Sequence, residues 1–187
     1  NSGRPGPVLV DIPKDVQFKK GIYKTSKEVV VETYKPKVKA ELTDIEKAVE
    51  LIVKSKKPII YSGGGVINAG TKASDALTEF TRITNFPITS TLQGLGAFPG
   101  SDPQFVGMLG MHGTYEANNA MHECDLMINI GARFDDRITG RVDAFSPDSK
   151  KIHIDIDPSS INKIVKVDVA IVGDCLSVLS DMLTTLK

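Results

Sequence analysis

Residues 126–137 read L-M-I-N-I-G-A-R-F-D-D-R, an apolar run that stops at Gly131 and turns charged at once. A parallel strand buried on both faces requires such a near-continuous apolar run, and ligands of open α/β sheets sit beyond the carboxyl ends of these strands. The run therefore predicts a layered α/β fold with residues 131–137 at a binding edge. Two arginines and two aspartates in that loop admit two readings. They grip an anionic ligand, because a guanidinium offers phosphate or carboxylate a planar fork of donors, or they pair with one another on a solvated surface.

The pattern recurs along the chain. Thr43 and Glu46 stand at capping-box spacing, with Ile45, Ala48, Val49, Ile52 and Val53 on a helical period that ends at the lysines before Pro58. Residues 59–61 predict a strand running into Gly63, Gly64 and Gly65, which supply either positive φ and close ligand approach or a permissive tight turn. A helix is predicted over 70–84 and a strand over 86–89, which opens into T-L-Q-G-L-G-A-F-P from Thr91. Residues 106–113 are short, apolar and glycine-punctuated, and His112 stands alone before a helix from Thr114. A lone histidine is more often a structural hydrogen-bonder than a catalyst. Residues 151–157, K-I-H-I-D-I-D, alternate as a strand with one face in the core. Asp155 and Asp157 at its end read as acceptors for ribose hydroxyls or as the turn that Pro158 and Ser159 favour. A strand over 167–172 and a closing helix capped by Asp174 complete the chain.

The predicted order is helix, strand, helix, strand, helix, strand, strand, strand, helix. It implies an α/β fold, a Rossmann-like open parallel sheet with helices on both faces. Neither G-x-G-x-x-G after a strand nor G-x-x-x-x-G-K-[ST] occurs, which excludes the ordinary NAD-dehydrogenase fingerprint and the P-loop. With 187 residues, 41% of them hydrophobic, the chain has material for one core plus a tail. Lys+Arg and Asp+Glu both number 23, so no nucleic-acid or membrane-surface partner is implied and any anion site is local. Cys124 and Cys175 lack C-x-x-C spacing and read as buried, reduced thiols of a cytosolic-type protein, with no metal site. No apolar run reaches membrane-spanning length, and no signal-peptide pattern is present. Residues 7–12 predict a short strand closed by Pro13, and the lysine-rich residues 16–40 a linker. The opening residues look like a unit already under way, as in a piece of a longer polypeptide.

Six segments in register then resemble one family. G-R-P-G-P-V-L-V-D-I-P-K-D (3–15), Y-S-G-G-G (61–65), T-S-T-L-Q-G-L-G-A-F-P (89–99), L-G-M-H-G (109–113), G-A-R-F-D-D-R (131–137) and H-I-D-I-D (153–157) look like the large catalytic subunit of acetohydroxyacid synthase, also called acetolactate synthase. The resemblance implies the end of an N-terminal pyrimidine-binding domain (1–15), a linker (16–40) and the central FAD-binding domain of a thiamine-diphosphate-dependent enzyme (41–187). It implies that the whole enzyme uses thiamine diphosphate and Mg²⁺ to condense pyruvate with pyruvate or 2-oxobutyrate, releasing CO₂, in branched-chain amino-acid biosynthesis. A homodimer or higher oligomer with a small regulatory subunit follows from the same source, as does a cytoplasmic location in bacteria and a plastid one in plants.

Carried over by motif, Arg4 contacts FAD from the neighbouring segment, and Gly63, Gly64 and Gly65 let the cofactor lie against the backbone. Thr91, Leu92, Leu109, Gly110, Met111 and His112 line its flavin and ribityl side. Gly131, Arg133, Asp135 and Arg137 hold its middle and diphosphate, and Asp155, Ile156, Gly173 and Asp174 serve the adenosine end. Met111, Asp136 and Arg137 also border the substrate and inhibitor channel. The family's activating glutamate and its Mg²⁺-diphosphate motif are expected outside this chain, so no catalytic residue is assigned here and the fragment alone is expected to be inactive. Two alternatives remain: the central domain of a related enzyme of glyoxylate carboligase or pyruvate oxidase type, or a stand-alone nucleotide-binding module.

Overall fold

The computed structural model describes residues 3–4, 6–25 and 37–187. It divides into two compact units, 1–36 and 37–187.

In the first unit, residues 7–12 form no strand, contrary to the expectation; they are open coil, with Val8, Leu9 and Val10 exposed. A strand exists only through a ladder partner, and the described residues of this unit supply none. A single helical turn, α1 (Lys14–Gln17), follows Pro13, whose carbonyl accepts from the Val16 and Gln17 amides. Residues 26–36 of the expected linker lie outside the described residues.

The second unit is built on six parallel strands: β1 (Pro58–Ser62), β2 (Ile88–Ser90), β3 (Phe105–Met108), β4 (Leu126–Ile130), β5 (Lys150–Asp155) and β6 (Val169–Val172). Their spatial order is 3-2-1-4-5-6. Chain direction across the sheet reverses between β1 and β4, the switch point at which doubly wound folds place dinucleotides. β3 adds a strand to the predicted order; it is short, carries Gly107 at φ 96°, and pairs with β2 through an irregular register.

The helices are α2 (Leu42–Lys54), α3 (Gly64–Ala69), α4 (Thr71–Thr84), α5 (Tyr115–Glu123), α6 (Asp136–Thr139) and α7 (Cys175–Leu186). Strand parity sorts the core. Ile60, Ile128, Ile130, Ile152, Ile154 and Ile171 meet Ile45, Ile52, Val66, Leu77, Phe80, Leu179 and Met182 from α2, α3, α4 and α7. Ile59, Tyr61 and Met127 point the other way, to Met121 of α5 and to Phe134 and Val165 from loops. The second layer is thus part helix and part loop. For that reason β5 is buried on both faces rather than one: Lys151, His153 and Asp155 are each less than 9% exposed.

Two helix starts differ in chemistry. Asp174 caps α7 as expected, accepting from the Leu176 and Ser177 amides at 3.0 and 3.3 Å. The capping box expected of Thr43 and Glu46 is not made: α2 starts at Leu42 after an N-cap at Glu41, which leaves Thr43 inside the first turn. No helix among the described residues is long and apolar enough to cross a membrane. Cys124 and Cys175 are free and buried.

Candidate functional site

Because all six strands are parallel, their carboxyl ends share one edge, and every group assigned to the second unit by motif follows one of them. In sheet order, residues 109–112 follow β3, Thr91 and Leu92 follow β2, residues 63–65 follow β1, residues 131–137 follow β4, Asp155 ends β5 with Ile156 just after it, and Gly173 and Asp174 follow β6. At about 4.8 Å per strand, six strands spread this line over roughly 24 Å.

At the switch point, the glycines make room for backbone. Gly63 N–H donates to Ile130 O and Gly65 N–H to Gly131 O, each at 2.9 Å. A Cβ on Gly63 would stand 2.4 Å from Gly131 O and 2.5 Å from Ala132 Cα, and one on Gly65 2.7 Å from Gly131 Cα. None of residues 63–65 has positive φ, and Gly63 lies at −126°. The expected left-handed backbone is instead at Gly131, at φ 64°. These glycines therefore let the loops after β1 and β4 touch, and a six-residue helix, α3, begins at Gly64.

The loop after β4 continues strand alternation beyond the sheet. Ala132 and Phe134 turn inward and are buried, whereas Arg133, Asp135, Asp136 and Arg137 are exposed. Phe134 anchors the turn between Tyr61, Phe145 and His153, with ring centroids 6.2, 5.9 and 5.2 Å away. Outside, Arg133 pairs with Asp135 at 2.8 Å and Arg137 with Asp136 at 2.7 Å. Exposed pairs like these contribute little to stability and leave both guanidinium groups able to swing to an anion. Surface ion pairing and anion binding are thus compatible in this loop.

Side chains that carry no motif assignment set the loops. Asn129, the lone amide in the apolar run, donates from Nδ2 to Ala132 O at 2.9 Å and accepts from Ala132 N–H at 3.1 Å. Asn118 grips Gly110 in the same two-point way, N–H to Oδ1 and Nδ2 to O, both at 3.1 Å. Gly110 has φ 108°, and a Cβ there would lie 2.7 Å from Arg137 O. Met111 N–H donates to that same carbonyl at 2.9 Å, tying the loop after β3 to the loop after β4. The sequence signal for Asn129 is a polar side chain inside a buried run, which must find a partner. Asn118, on α5, carries no comparable signal.

Elsewhere on the edge, Thr91 caps the 3₁₀ turn Leu92–Gly94 by accepting from Gly94 N–H at 3.0 Å, and Leu92 is exposed. Met111 and His112 are exposed, while Leu109 is buried. Asp155 Oδ1 accepts from Asp157 N–H at 2.8 Å, and Asp157 Oδ1 from Ser159 N–H at 2.9 Å, so the strand-end turn is formed. Gly173 N–H donates to Asp155 O at 3.1 Å, joining the last two stations. Arg4 lies exposed at a bend in the first unit. Burial drives the His153 pKa down to about 4, against the opposing hydrogen bond to Ala132. Tyr61 is pushed up, by burial first and by the charge of Asp135 second. Among the described residues, no group of three or more His, Cys, Asp or Glu is placed to hold a metal ion.

An all-parallel 3-2-1-4-5-6 sheet with glycine-rich and charged loops along its carboxyl edge defines a doubly wound, Rossmann-like layered domain. Residues 45–182 match the family model of the thiamine pyrophosphate enzyme central domain, and the chain belongs to that family. Over its whole length it is 49% identical to the acetolactate synthase large subunit of Haemophilus influenzae and 50% identical to that of Corynebacterium glutamicum. It is also 49% identical, over 92% of its length, to the acetolactate synthase isozyme 2 large subunit of Escherichia coli. These matches cover 33%, 29% and 30% of the relatives, so the chain spans about a third of their length.

Proposed function

We propose that this chain is the FAD-binding central domain of an acetolactate synthase large subunit. The observation that carries the reading is the agreement of two orders. The motif-implied roles run from flavin and ribityl (after β3 and β2) through the middle and diphosphate (after β4) to adenosine (β5 and β6), in step with the sheet order 3-2-1-4-5-6. A long dianionic ligand laid along this edge meets backbone at Gly131, guanidinium groups at Arg133 and Arg137, and a carboxylate at Asp155 near its ribose.

On this reading Gly63, Gly64 and Gly65 hold the two central loops together beneath the ligand. Arg133 and Arg137 exchange their aspartate partners for diphosphate oxygens. Met111, Asp136 and Arg137, all exposed and joined through the Met111–Arg137 backbone bond, border the substrate channel. Thr91, Leu92, Leu109, Gly110 and His112 line the flavin end, and Ile156, Gly173 and Asp174 the adenosine end. In the full-length protein, thiamine diphosphate with Mg²⁺ supplies the chemistry that decarboxylates pyruvate and joins it to pyruvate or 2-oxobutyrate. This chain contributes cofactor positioning and channel wall, and by itself has no turnover. The same reading brings dimeric or higher assembly, a small regulatory subunit, and a bacterial cytoplasmic or plant plastid location.

The test is acetolactate formation from pyruvate by the full-length protein after flavin removal. Activity that returns only on adding FAD, together with none from this chain alone, is the expected result. Full turnover without flavin, or turnover by the chain alone, contradicts it.

A further inference from the structure

The H-I-D-I-D segment holds a residue to which the cofactor reading gives no role. His153 is fully buried on β5 beneath the loop after β4, with its ring edge-to-face against Phe134 at 73°. Its Nε2 lies 2.9 Å from Ala132 O. A carbonyl oxygen only accepts, so Nε2 carries the proton and Nδ1 is a bare lone pair. Nδ1 finds no hydrogen-bond partner among the described residues. The nearest carboxylate oxygen, Asp155 Oδ2, is 3.8 Å from Nε2 and beyond hydrogen-bond range. A phenylalanine would fill the same space with no dry nitrogen but would forgo the Nε2–H bond to Ala132 O. What the imidazole adds is a second donor to a carbonyl that already accepts from Asn129.

We propose that His153, as its Nε2–H tautomer, is a positioning residue for the anion-binding loop. With Asn129 it saturates both lone pairs of Ala132 O, and so fixes the peptide that launches Arg133. One bond sets how far that peptide moves along the sheet edge; two bonds from different strands also set its rotation. β4 and β5 are bridged at the point where the loop leaves the sheet. The consequence for ligand binding rests on the FAD reading, whereas the consequence for the loop does not.

The test uses His153→Phe and His153→Gln in the full-length protein. Arg133 is an exposed trypsin site in the loop, and Arg82, exposed in α4, is a control remote from it. In flavin-free protein, His153→Phe should speed cleavage at Arg133 by about tenfold with Arg82 unchanged, the factor expected for one lost hydrogen bond. Glutamine restores a donor near the same reach and should keep the rate within about threefold of wild type. FAD affinity, read by flavin fluorescence, should fall and recover in the same pattern, with thiamine diphosphate affinity unmoved. Unchanged cleavage at Arg133 in His153→Phe overturns the proposal. So does equal impairment by both variants, which would make ring shape the cause, or faster cleavage at Arg82, which would make it loss of fold. If Arg133 cleavage responds as stated while wild type retains no FAD, the positioning role stands and the cofactor reading fails.

Discussion

Glycine serves two different ends in this domain, and single substitutions separate them. At Gly63 the backbone is ordinary at φ −126°, but an added methyl meets Gly131 O at 2.4 Å and Ala132 at 2.5 Å. At Gly140 the φ is 54° and nothing lies within 4 Å. Gly63→Ala should therefore cost roughly 2–3 kcal/mol through overpacking. Gly140→Ala should cost about 1–3 kcal/mol, all of it backbone strain, because φ 54° with ψ −122° is a region L side chains rarely adopt. Denaturation midpoints of the two variants, measured side by side, check that each is destabilised, one by a clash and the other by its backbone angles. His153 carries a pH prediction as well. Its folded pKa of about 4 lies below the ordinary 6.5, so between those values the unfolded chain binds a proton that the native domain refuses. Stability should be fully present above pH 6.5 and fall as pH drops toward 4, by at most on the order of 3 kcal/mol. Protection factors of β5 amides, corrected for the intrinsic exchange rate at each pH, should fall between pH 7 and 4.5 in wild type and fall less in His153→Phe.

Among the elements, the two long helices that open and close the second unit differ in how they begin. Asp174→Ala removes a real cap from α7 and should cost about 1 kcal/mol, whereas Thr43→Ala should change stability by less than about 0.5 kcal/mol, because Thr43 caps nothing in α2. Thermal melts of both variants decide it. What was legible in the sequence follows from the same physics. The strands of 59–61, 126–130 and 169–172 were readable because parallel strands buried on both faces need unbroken apolar runs. β3 was not, since its glycines break the run and its ladder to β2 is irregular. At 7–12 a strand pattern was present but strands are made by partners, which the described residues there lack. The second face of β5 was misjudged because alternation of Ile with Lys, His and Asp looks like a solvated face. A loop arriving from β4 buries it instead, and that packing is a tertiary fact.

For the whole molecule, the sheet order explains why the site could be listed from motifs yet not assembled from them. Residues 63–65 and 131–137 are neighbours only because β1 and β4 pair across the switch point, and Met111 meets Arg137 only because two loops fold over the same face. Motif matching assigned Arg133, Asp135 and Arg137. The side chains that hold their loop, Asn129 and His153, lay in plain view as polar residues inside buried strands without suggesting a partner. The central claim is that one extended flavin nucleotide lies along the carboxyl edge from β3 to β6. Hydrogen-exchange mass spectrometry of the full-length protein with and without FAD tests it most directly. Protection on FAD addition is predicted in residues 63–65, 91–92, 109–112, 131–137, 155–156 and 173–174, with none at the amino-terminal ends of the same strands. Protection absent from those segments, or confined to only one end of the sheet, would contradict it.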